Sequence, residues 1–157
     1  MDLYTSLFGG ILPVIKAPSS EKRSSAAGTG LDVAAIADIY FEAWRRRDPV
    51  AITELHAPES QFWLHLGTER VRGREAIEKS FSEIFERFPE FGFETYRVIY
   101  GPAHWVLDWA LTSVLAGGEP IRFDCLDIVT LTRAGLVDRK DTFVDMVQLN
   151  AALGTNP

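Results

Sequence analysis

From Leu31 onward the apolar positions fall into periods that name their elements. Val33, Ile36, Ala37, Tyr40 and Trp44 recur at helical spacing, and Asp32 stands where an N-cap oxygen is needed. Asp48-Pro49 restarts the chain, because Asp48 can cap again and Pro49 suits a first helical position, where its missing N–H has no partner to lose. The second helix is short, about Pro49 to His56. Ser60 to Gly67 (SQFWLHLG) reads as a strand, and Arg70-Val71-Arg72-Gly73 as a short edge piece. A third helix carries Ile77, Phe81, Ile84, Phe85 and Phe88 on one face and Glu78, Lys79, Glu83 and Glu86 elsewhere, and Pro89 stops it. After Pro89 the pattern changes to long β-rich segments: Phe91 to Tyr100, His104 to Leu115, Ile121 to Thr132 and Leu136 to Val147, separated by Gly- and Pro-bearing turns.

Helices segregated from a run of strands predict an α+β fold, with helices packed on one face of a curved sheet. At 157 residues the chain is long enough for one domain with its own core, expected over residues 31–150. Residues 1–30 are expected to form a tail: Leu3 to Ile15 is apolar, and Ala17 to Gly30, rich in Ser, Ala and Gly, reads as a flexible linker. That apolar run lacks a basic start, follows Asp2 and holds Gly9, Gly10 and Pro13, which argues against a signal peptide. Residues 151–157 are expected to be a short C-terminal tail.

Composition narrows the function classes. A net charge of -6 and a pI near 5.1 argue against non-specific nucleic-acid binding, which needs a basic face. Arg45-Arg46-Arg47 is too short to reverse that and fits a helix C-terminal turn, where cations complement the dipole. One cysteine, Cys125, excludes an intramolecular disulfide and suits a reducing, cytoplasmic setting. His56, His65 and His104 show no ligand spacing, so no metal site is expected, and no apolar run is long enough to span a membrane.

One residue breaks its own pattern. In RFDCLDIVTLT, Arg122 to Thr132, one face of the strand carries Phe123, Cys125, Val129 and Leu131, and Asp127 shares it. A carboxyl on an apolar face needs a partner whatever its job. Desolvation disfavours its charged form, so it can serve as a proton donor. His65 lies alone on an apolar strand and has a ring suited to proton transfer. Tyr40, on the core stripe of the first helix, can turn its hydroxyl into a pocket as well as pack. Trp63, Trp105 and Trp109 read as pocket walls or dimer contacts. Cys125 has no evident activating base and reads as packing.

The element order, with RGREAI at Arg72 to Ile77, the CLDIVTL strand and the KDTF strand near the end, resembles the nuclear transport factor 2-like superfamily. That superfamily includes SnoaL-like polyketide cyclases, ketosteroid isomerases, limonene epoxide hydrolases and scytalone dehydratases. The resemblance covers about Leu31 to Leu149. It implies a cone whose helices close the concave face of the sheet over a mostly apolar pocket, and an isologous homodimer through the outer sheet face bearing Leu126 and Ile128. It implies a cofactor-independent isomerase, cyclase, dehydratase or epoxide hydrolase acting on a small apolar, cyclic molecule. The other reading is a non-catalytic ligand-binding or protein-interaction module on the same fold.

The resemblance also assigns residues. Asp127 matches the protonated aspartic acid of ketosteroid isomerases, an enzyme the general theory of pKa tuning uses as a worked case. Asp141 matches the acid or base aspartate of the cyclases and epoxide hydrolases, and shares a face with Val137, Arg139 and Phe143. With the family's usual register Asp108 points inward, together with Ala110 and Thr112. The pocket walls are then Trp44, Phe81 and Phe85 from the helices, Phe62, Trp63 and Leu64 from the first strand, and Phe123, Cys125 and Phe143 from the last two. The pattern departs from each named enzyme: the arginine clamp of the epoxide hydrolases is absent at Asp108-Trp109-Ala110, and the isomerase base position falls on Leu64.

Overall fold

A computed structural model describes residues 30–155; the expected N-terminal segment and linker lie outside the described residues. Helix α1 spans Val33–Arg45 and α2 Pro49–Glu54, each opened as expected: Asp32 Oδ1 accepts from Ala35 N and Asp48 Oδ1 from Ala51 N, both at 3.0 Å. Between them Arg47 takes a positive φ of 53°, the sharp reversal that lets Asp48 begin a new helix. Strand β1 (His56–His65) and the two-residue β2 (Val71–Arg72) precede α3 (Arg74–Arg87). Strands β3 (Gly92–Gly101), β4 (His104–Val114), β5 (Pro120–Leu131) and β6 (Val137–Val144) follow, and α4 (Met146–Ala152) closes the described chain.

The boundaries differ most from the expectation around β1, which spans His56–His65 instead of Ser60 to Gly67, and at the end of β6. The second helix ends at Glu54, so His56 opens β1 instead of closing a helix. The last strand stops at Val144 because Asp145 caps a helix, its carboxylate accepting from Val147 N and Gln148 N at 3.0 Å. Seven residues are too few to show a helical period, and Ala151 and Ala152, expected in the tail, belong to it.

The sheet runs β2-β1-β6-β5-β4-β3. All pairs are antiparallel except β1 with β6, so the sheet is mixed and the early strand lies beside the last one. This crossover brings residues of β1 within reach of β5 and β6. Helices α1 and α3 cover the concave face, where Tyr40, Ile77, Phe81 and Trp105 are almost wholly excluded from solvent. Edge-to-face aromatic pairs knit the layers: Phe81 lies 4.8 Å from Trp44 and 5.0 Å from Phe62, ring centre to ring centre. At the β5–β6 turn Gly135 (φ +79°) passes against α1, and a Cβ there would sit 3.1 Å from Ile36 Cδ1.

Register fixes which side chains face the helices. In the β4–β5 pair Leu107 faces Asp127, Trp109 faces Cys125 and Leu111 faces Phe123, so these share the concave side. In the β5–β6 pair Thr142 faces Asp127 and Lys140 faces Val129, so Lys140 and Thr142 are concave as well.

Candidate active site

The concave side encloses a cavity of about 1000 Å³, walled by α1, α3 and the inner face of β1 and β3–β6, with α4 at its margin. Its lining is mainly aromatic and aliphatic. Among the residues expected there, Tyr40, Trp44, Phe62, Leu64, Phe123, Cys125 and Asp127 do line it. Phe81 and Phe85 do not: Phe81 is fully buried behind Phe62 and Trp44, and Phe85 packs edge-on against Phe91 at 5.2 Å.

The carboxylates separate. Asp127 is 4% exposed and hydrogen-bonds on both oxygens, to the Lys140 ammonium through Oδ2 and to Thr142 Oγ1 through Oδ1, the latter at 2.7 Å. Lys140, itself 3% exposed, also sits 5.4 Å from the centre of the Trp44 ring, a cation–π distance. The expectation of a lone acid holding its proton in an apolar cone therefore needs correcting: Asp127 is half of a buried ion pair, arranged to accept hydrogen bonds.

Asp108 does not join it. Because Leu107 pairs with Asp127, Asp108 is on the convex face opposite Leu126, where it binds Arg97 Nε at 2.9 Å. Ala110 and Thr112 turn outward with it. Trp105, Leu107, Trp109 and Leu111, the apolar alternate positions of β4, point inward instead, so the register implied by the resemblance is inverted here.

Asp141 is convex too, one residue out of phase with Thr142. There it forms a separate group with His65, whose Nε2 lies 2.9 Å from Asp141 Oδ1, and with Arg139, which grips both carboxylate oxygens. Burial pulls the Asp141 pKa up, but the hydrogen bonds from Arg139 and His65, and then their charges, outweigh it and leave the group below the usual carboxylate range. His65 stacks on Phe143 at 3.9 Å and lies 4.0 Å from Trp63, so the expected proton carrier and the two expected pocket walls all lie on the convex side, outside the cavity lining.

Near the ion pair, Tyr40 meets two residues the sequence did not single out, His56 and Ser60. His56 is completely buried, its Nε2 3.0 Å from Tyr40 Oη and its Nδ1 2.8 Å from Ser60 Oγ. Arg74, from the first turn of α3, fixes its backbone by donating to the His56 carbonyl through Nε at 2.8 Å and through Nη2 at 2.6 Å. Burial, then the charges of Lys140 and Arg74, push the His56 pKa down to about 3, so the ring is neutral at ordinary pH. Burial raises Tyr40 well above a normal phenol, partly opposed by Trp44 and reinforced by the Asp127 charge. Burial and Asp127 likewise push the Cys125 thiol up to about 12, which keeps it from acting as a thiolate.

Lys140 had a legible signal: an inward carboxylate needs a cation, and a period-two count along Lys140-Asp-Thr-Phe-Val144 puts Lys140 and Thr142 on one face. Its neighbours Asp138, Arg139 and Asp141 mask that signal by making the stretch a charge-rich run. His56 and Ser60 gave no such signal, since HAPES lacks any chemical spacing.

Comparison with known proteins agrees with this architecture. A family model described as the SnoaL-like domain matches residues 37–139. The chain belongs to the SnoaL-like family. No curated protein matches it. Among solved structures, the epoxide hydrolase/cyclase-like enzyme SalBIII, described in pyran ring formation in the polyether salinomycin, is similar at 20% identity and a TM-score of 0.65, over 74% of this chain and 92% of that one. A ketosteroid isomerase-like fold from Catenulispora acidiphila DSM 44928, in complex with trimethylamine, aligns at 16% identity and 0.68, over 77% and 93%. A candidate SnoaL-like polyketide cyclase from Shewanella putrefaciens CN-32 aligns at 12% and 0.69, over 79% and 86%. At these identities the likeness establishes the SnoaL-like fold alone. Among the described residues no helix is long and apolar enough to cross a membrane.

Proposed function

We propose that this SnoaL-like chain is an enzyme that takes a small, mostly apolar, cyclic molecule into its cavity and moves a proton at or beside an oxygen substituent. The observation that carries the reading is the buried Asp127–Lys140–Thr142 group in the wall of a mainly apolar cavity of about 1000 Å³. Asp127 is the base, with Lys140 the cation that compensates charge developing on oxygen and Tyr40 a neutral donor. Isomerisation, dehydration, cyclisation and epoxide opening are all within reach of such a set. Cyclic enones, hydroxyketones and epoxides, incubated with the wild type and with Asp127→Asn and Lys140→Met, test it by NMR of the products. Turnover lost in both variants supports the assignment; turnover that survives Asp127→Asn removes it.

A second reading has its own support. Asp127 and Lys140 satisfy one another, and Asp108 and Asp141 face away, so a ligand-binding module without catalysis is the alternative. Saturable binding of these compounds with no turnover would favour it.

The convex face presents Ile128 and Phe143 partly exposed among polar neighbours, which supports a homodimer through that face. Phe143→Glu is expected to halve the mass measured by light scattering, and an unchanged mass would rule that face out. The single, buried Cys125 supports a reducing, cytoplasmic location.

A further inference from the structure

The Ser60–His56–Tyr40 chain can run in two directions, and hydrogen-bond accounting favours one of them. A neutral imidazole has one N–H and one bare nitrogen, while its two partners here are hydroxyls that can each donate or accept. Two arrangements are consistent with the distances. In one, His56 Nδ1–H donates to Ser60 and Tyr40 donates to Nε2. Ser60 is fully buried, and His56 is its sole side-chain partner among the described residues, so its own proton would then have no acceptor. In the other, Ser60 O–H donates to Nδ1 and His56 Nε2–H donates to Tyr40 Oη. Every proton of serine and histidine is then used, and the one left over is that of Tyr40, whose side chain lines the cavity.

We propose that His56 and Ser60 are positioning residues: they hold the Tyr40 hydroxyl by its oxygen, so that its proton is offered to an acceptor oxygen, of carbonyl type, on a ligand in the cavity. This rests on the reading of the cavity given above and adds the part of the ligand it recognises. Three features support it besides the accounting. The chain joins α1 to two residues four apart at the irregular start of β1, and α3 holds it through the two Arg74 bonds to the His56 carbonyl. The imidazole stays neutral, so it never repels Lys140 nearby. An N–H donating to a phenol oxygen strengthens the O–H as a donor, as chains of hydrogen bonds polarise one another.

The tautomer is measurable in the free protein. Imidazole 15N NMR of the full chain labelled at histidine, with His56 assigned by loss of its signals in His56→Gln, is expected to find the proton on Nε2 from pH 5 to pH 9. A proton on Nδ1 would overturn the proposal, because Tyr40 would then be spent on the ring. The second readout uses 1-indanone as a probe carbonyl. Its C=O stretch in the wild-type complex is expected at lower frequency than in Tyr40→Phe, and Ser60→Ala, which removes the donor to Nδ1, should shift it the same way. Affinity should fall about three- to tenfold in Tyr40→Phe, the loss of one buried hydrogen bond. A stretch identical in wild type and both variants would also overturn the proposal. Failure of indanone to bind the wild type would count against the cavity reading itself, and the tautomer in the free protein would still decide the direction of the chain.

Discussion

Removing one half of the Asp127–Lys140 pair should cost far more than removing both. Both residues are almost wholly excluded from solvent, with exposures of 4% and 3%, and among the described residues neither has another ion-pair partner. Two unit charges about 3 Å apart at an effective dielectric of about 20 attract by roughly 5 kcal/mol, which offsets the desolvation of both ions. Lys140→Met therefore leaves a buried carboxylate held only by Thr142, and Asp127→Leu leaves a buried ammonium held only by the Trp44 ring; each should lose about 3–5 kcal/mol. The double variant Asp127→Leu/Lys140→Met buries no charge and should lie within about 2 kcal/mol of the wild type. Urea unfolding read by tryptophan fluorescence gives all four free energies, and a constant slope with denaturant shows that the unfolded states are comparable. A domain this size has about 5–15 kcal/mol in total, so the single variants lower the midpoint steeply. The reasoning fails if the two single losses simply add in the double variant, since an additive pair is not coupled.

Three other outcomes follow from the same geometry. His56 takes up a proton near 6.5 when unfolded and only near pH 3 when folded, so the unfolded state binds more protons between those values; stability is complete above pH 6.5 and falls as pH is lowered through that window, by at most about 1.4 kcal/mol per pH unit, and His56→Gln should flatten the profile. Asp108→Asn, on the convex face with Arg97, should change unfolding free energy by less than about 1 kcal/mol and leave indanone binding untouched, whereas a binding defect would place Asp108 at the cavity after all. Cys125 should react with a disulfide reagent in urea but not in the native protein at pH 8, because burial and the Asp127 charge oppose the thiolate; rapid native labelling would contradict the burial.

Sequence alone determined the elements and the apolar faces. The helical spacing from Val33 to Trp44, the caps at Asp32 and Asp48, and the two-residue period of the late strands are local properties, set by backbone geometry within a few residues. The same local logic singled out Asp127, since a carboxyl on an apolar face is visible within one strand. What it lacked was the relation between strands. Whether Asp108 shares the face of Asp127 depends on the β4–β5 register, and a shift of one residue moves every side chain to the opposite side. Whether Asp141 or Lys140 reaches Asp127 depends on the β5–β6 register in the same way. Tertiary structure alone decided the Tyr40–His56–Ser60 chain, because it needs α1 to bring the Tyr40 hydroxyl against the start of β1, a contact between elements that no periodicity encodes.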